Sequence, residues 1–96
     1  MPPIDPWLEM LKDLLCRLYR EWGGDCSMLP TDIRGAIQVL QGCFVKNGNP
    51  RPNDPAGAAA FDALLAELEM HLDLPGNSMD PTDEVALRTL LMGLKA

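Results

Sequence analysis

The side chains able to do chemistry in this chain are few: one histidine, three cysteines, and fourteen carboxylates set against eight lysines and arginines. A metal site or an acid–base pair needs several such groups converging on one point. His71 has a single carboxylate at helical spacing, Glu67, because Pro75 stands at the other i±4 position. It reads as a histidine at the flank of an apolar helix face, and no metal or other cofactor is expected.

Cysteine catalysis needs a thiolate with a nearby base and a group that orients that base. Cys16, Cys26 and Cys43 are odd in number and widely spaced, which matches neither the CxxC pattern of a zinc site nor a closed disulfide framework. Reduced thiols are expected. Cys43 falls on an apolar stripe and reads as a small buried hydrophobe. Cys16 projects to the polar side with Glu9, Asp13 and Arg20 and is the better candidate for a reactive thiol. No GxGxxG, P-loop, HExxH or EF-hand pattern occurs, so phosphate, zinc-protease and calcium chemistry lack their usual carriers. The expectation is a protein that is not an enzyme, with no catalytic residue.

The elements that position these groups are announced by turn chemistry. Asp5-Pro6, Asp54-Pro55 and Asp80-Pro81 are helix starts, since Asp accepts the orphan N–H groups of a first turn and Pro presets its backbone. A fourth start is placed at Pro30, with Asp32 in the first turn. Gly23-Gly24, Asn47-Gly48 and Pro75-Gly76 supply the stops. Helices are predicted near 6–22, 30–46, 55–73 and 81–94. Their apolar stripes run through Leu8, Leu11, Leu15, Leu18 and Trp22; Ile33, Ala36, Ile37, Leu40, Cys43 and Phe44; Phe61, Leu64, Leu65, Leu68 and Leu72; and Leu87, Leu90, Leu91 and Leu94. Short connections between the first and second and between the third and fourth helices favour antiparallel neighbours. The fold expected is all-α, a small antiparallel four-helix bundle, as one domain spanning 1–96. The proline-rich stretch 47–54 reads as a connector between two hairpins.

At 96 residues and a formal net charge of −6, the chain has little material for a deep cleft and no basic footprint for phosphates. Direct nucleic-acid binding is not expected. The start of the chain lacks a cationic segment followed by an apolar core, and no run approaches the ~18 apolar residues of a membrane span, so a cytoplasmic protein without membrane contact is expected.

The charge is uneven. Residues 1–51 carry six acidic and six basic side chains, whereas 52–96 carry eight acidic and two basic. An acidic partner-binding face is predicted from Asp62, Glu67, Glu69, Asp73, Asp83 and Glu84, suited to steering a protein with a basic surface. A solvated face is its plainer reading. Off the main stripes lie Ala59, Ala63, Ala66 and Met70 on the third helix and Val85 and Met92 on the fourth, predicted as an apolar contact strip. Met10 is off its stripe too, and Gly35 and Gly42 read as small residues permitting close helix approach. The function expected is a non-enzymatic interaction module, a small bacterial or phage-encoded inhibitor, anti-activator or adaptor that blocks a partner protein, for instance by competing for a basic nucleic-acid-binding groove. The alternative is a structural subunit forming an obligate helical homo-oligomer, with a homodimer the simplest case.

Overall fold

Each helix begins where an aspartate side chain accepts a first-turn N–H. Asp5 accepts from Leu8 at 3.1 Å, Asp32 from Gly35 at 2.8 Å, Asp54 from Gly57 at 2.7 Å and Asp80 from Thr82 at 2.8 Å. The computed structural model describes residues 4–48 and 51–95. It contains α1 (Pro6–Glu21), α2 (Ile33–Asn47), α3 (Pro55–Asp73) and α4 (Pro81–Leu94), with a single 3₁₀ turn at Cys26–Met28 and no strand among the described residues. Proline occupies the first turn of α1, α3 and α4, as predicted. The second helix starts at Ile33 instead of Pro30, because Asp32 is its N-cap and not a first-turn residue. Of the predicted connector, residues 49 and 50 lie outside the described residues.

The two caps at Asp32 and Asp54 share one construction, Pro30-x-Asp32-x-x-Gly35 and Pro52-x-Asp54-x-x-Gly57. A Cβ on Gly35 would lie 2.8 Å from an Asp32 carboxylate oxygen and 2.9 Å from the Pro30 ring; on Gly57 it would lie 2.7 Å from Asp54 and 3.0 Å from Pro52. Gly35 therefore belongs to its own helix's cap, and Gly42 faces open space. Neither mediates the close helix approach expected of them.

Packed neighbours run in the order α1, α2, α4, α3 and back to α1, which leaves α1/α4 and α2/α3 on the diagonals. Trp7 at the start of α1 meets His71 at the end of α3, and Asp73 and Glu69 of α3 pair with Arg88 and Lys95 of α4, so both of these helix pairs are antiparallel. At the N-terminal ends of α2 and α4, Arg34 pairs with Asp80 and Asp83; at their C-terminal ends, Phe44 abuts Gly93. These two helices are parallel, and consequently α1 and α2 point the same way.

The antiparallel first hairpin expected from the sequence is thus replaced by a crossover. Its eleven residues, 22–32, reach about 36 Å when extended, enough to return along the ~24 Å of α1 before α2 begins. A disulfide between Cys16 and Cys26, with Cα atoms 5.5 Å apart, fastens this return strand to the middle of α1. The pairing overturns the expectation of three reduced thiols and of Cys16 as a free reactive cysteine. Cys43 is the remaining free thiol and is half-buried.

The core is drawn largely from the predicted stripes: Leu11, Leu15, Leu18, Ile37, Leu40, Phe61, Leu65, Leu68, Leu87, Leu91 and Leu94 are fully buried, with Trp7 and Leu14 added, whereas Leu8, Trp22, Ile33, Cys43 and Phe44 are half-buried. Arg51 closes one end. Its guanidinium donates to the Leu94 carbonyl and to Asp62, each at 2.7 Å, and lies over the Phe61 ring 5.4 Å from its centre.

Candidate interaction surface

No group of three His, Cys, Asp or Glu side chains that could hold a metal is found among the described residues. His71 is buried rather than flanking. Its Nε2–H donates to the Trp7 carbonyl at 2.7 Å, while the Trp7 indole N–H donates to the His71 carbonyl at 2.9 Å. The two rings stack with centroids 4.7 Å apart. The imidazole thus clamps α1 to α3. Its place one heptad after Leu64 and three residues after Leu68 is the signal that it belongs to the buried stripe.

The six carboxylates of the predicted acidic face are each engaged within the chain. Asp62 pairs with Arg51, Glu67 with Arg17, Glu69 with Lys95, Asp73 with Arg88, and Asp83 with Arg34, at 2.7 to 2.9 Å. Glu84 lies 3.9 Å from Arg88 and accepts a hydrogen bond from Asn77. Beside Asp83, the Arg34 guanidinium is held even further above its usual value. Three of the cations, Arg17, Arg34 and Arg51, come from the first half of the sequence. Folding therefore distributes charge that looks segregated along the chain. Among the described residues, the carboxylates without an ion pair are Asp13 and Glu21 on α1 and the caps Asp5, Asp25, Asp32 and Asp54.

The predicted apolar strip is exposed throughout. Ala59, Ala63, Ala66 and Met70 lie on the outer side of α3, and Val85 and Met92 on that of α4. The grooves beside α3 sort these residues. Ala66 borders the α3/α4 groove with Asp62, Glu69 and Lys95, and Met92 borders it with Arg88. Met70 instead faces α1 across a groove of about 260 Å³, where Met10, Leu14, His71 and Leu74 complete an apolar lining and Arg17 and Glu67 form the polar rim. Met10, Met70 and Leu74 are 52%, 68% and 49% exposed. Leu74 was not anticipated, because it follows the end of α3 and belongs to no helical stripe.

Of the predicted site residues only Met70 and Glu67 line the α1/α3 groove, joined there by Met10; the groove has unbranched, adaptable side chains at its margins and a buried Trp7–His71 clamp beneath. No helix among the described residues is long and apolar enough to cross a membrane. In comparison with known proteins, no protein-family model, curated protein or solved structure matches the chain.

Proposed function

We propose that the protein is a non-enzymatic interaction module that acts by occupying a surface of a partner protein, in the manner of a small inhibitor, anti-activator or adaptor. The observation that carries this reading is the α1/α3 groove, where Met10, Met70 and Leu74 remain exposed although the core beneath them is closed. Exposed apolar side chains gathered around one groove are characteristic of contact surfaces, whereas isolated ones need no explanation. Methionine suits such a surface because its flexible thioether adapts to the partner's shape.

Charge has a secondary role. The carboxylates expected to attract a basic partner already have internal cations, so a partner must compete with Arg17 for Glu67 at the groove's rim. A cytoplasmic setting is expected from the lack of a leader-like start and of a membrane-length apolar run, and the Cys16–Cys26 bond weighs against it: such bonds persist in oxidising compartments and in the cytoplasm are chiefly redox-responsive.

The test is quantitative capture from an extract of the native host with the wild type, with Met10→Glu/Met70→Glu, and with Glu67, Glu69 and Asp73 reversed to Lys. The expected result is a partner lost by about tenfold or more with the methionine variant, at unchanged helicity. Equal capture by wild type and methionine variant contradicts the proposal.

A further inference from the structure

We propose that the Cys16–Cys26 disulfide is a reducible latch that holds the α1–α2 crossover against α1, and that a dithiol reductant of the thioredoxin class opens it without unfolding the bundle. The inference is independent of the interaction surface proposed above. It rests on how differently the crossover and the core are held.

The 3₁₀ turn that carries Cys26 buries none of its residues and packs only against α1. Its remaining hydrogen bonds are local: Asp25 accepts from the N–H and hydroxyl of Ser27, and the N–H groups of Met28 and Leu29 close the turn on the carbonyls of Asp25 and Cys26, while Leu29 at its end is partly buried against the core. By contrast, the buried residues of all four helices form one apolar cluster to which neither bonded cysteine belongs. The disulfide is therefore the one covalent fastening of the crossover, and the core does not require it.

Both sulfurs belong to half-buried residues, so an attacking thiolate has access. The bond also walls a second cavity of about 260 Å³ between α1 and the start of α2, floored by Leu15 and Ala36 and roofed by Leu29 and Pro30. In the step proposed, one thiolate of the reductant attacks a sulfur of the pair, forming a mixed disulfide and releasing the other cysteine as thiolate. The reductant's second thiolate then displaces the remaining cysteine. The reductant leaves as its own disulfide, and two electrons and two protons have passed to Cys16 and Cys26. Freed from α1, the turn lifts with the exposed Met28 and uncovers the cavity floor.

Hydrogen–deuterium exchange of the full chain, with and without a thioredoxin-class dithiol, tests this directly. Amides of residues 25–32 should exchange about tenfold faster or more after reduction, with α3 and α4 retaining their protection. A Cys16→Ser/Cys26→Ser variant should show the fast pattern without reductant and no further response, and Cys43→Ser should behave as the wild type. Unchanged exchange at 25–32 overturns the latch. So does loss of protection across α3 and α4, which would make the bond a staple of the whole fold, and so does alkylation of all three cysteines in the untreated, air-oxidised protein.

Discussion

Asp5 and Asp25 act as acceptors twice over. The Asp5 carboxyl is held below its ordinary value of 3.8 by the Ser78 hydroxyl and then by the Leu8 N–H; Asp25 is lowered in the same direction by the backbone and hydroxyl of Ser27. A carboxylate whose folded value is depressed stabilises the fold fully above its unfolded value, and that contribution is lost as pH falls through the lower folded value. The midpoint of urea unfolding is therefore expected to decline as pH drops below 3.8, and Asp5→Asn/Asp25→Asn should decline less steeply, since amides accept the same bonds without titrating. Identical slopes for the two proteins would exclude these residues as the source. His71 illustrates a different lesson at this scale: as the only imidazole it invites a chemical role, yet its Nε2–H and its ring face are both taken up by Trp7.

At the scale of the elements, glycine inside a helix has two opposite meanings here. Replacing an exposed helical glycine by alanine ordinarily stabilises by about 0.5–1 kcal/mol, because alanine has the better propensity. Gly42→Ala, in open space, is expected to do so. Gly35→Ala and Gly57→Ala are expected to destabilise by about 1 kcal/mol, as the new methyl displaces the Asp32 or Asp54 cap. Thermal unfolding of the three variants checks the signs, and stabilisation by all three would mean that the caps tolerate the methyl. Helix positions were legible because Asp-Pro and the leucine spacing act locally. The misplaced start at Pro30 shows the limit of that logic: a proline two residues before a capping aspartate resembles a first-turn proline until the cap's acceptor is known. The direction of α2 was not legible, because a start placed at Pro30 shortens the connection from α1 and favours a hairpin, whereas the eleven residues 22–32 are long enough to return along α1. Of the candidate surface, Met10 and Met70 could be read from helical phase, whereas Leu74 could not.

The molecule as a whole measures 44 × 26 × 22 Å, and its radius of gyration of 13.1 Å matches the ~13 Å of a compact domain of this length. Its net charge of −6 looked like an acidic second half, but the fold sets Arg17, Arg34 and Arg51 against Glu67, Asp83 and Asp62 and leaves the α1 side with Asp13 and Glu21 unpaired among the described residues. Each exposed pair contributes only about 0–1 kcal/mol, so these seams orient the helices more than they stabilise them. Of the eight exposed large hydrophobic residues among those described, Met10, Met70 and Leu74 share the α1/α3 groove. Whether a partner protein sits in this groove is decided by placing a photo-crosslinking side chain at Met70 and, as a control, at the exposed Gln38 of α2, and irradiating both in native-host extract. A discrete heterologous adduct is expected from position 70 and none from 38. Adducts of equal yield at both positions, or only a self-adduct from position 70, would contradict it, the latter in favour of a homo-oligomer.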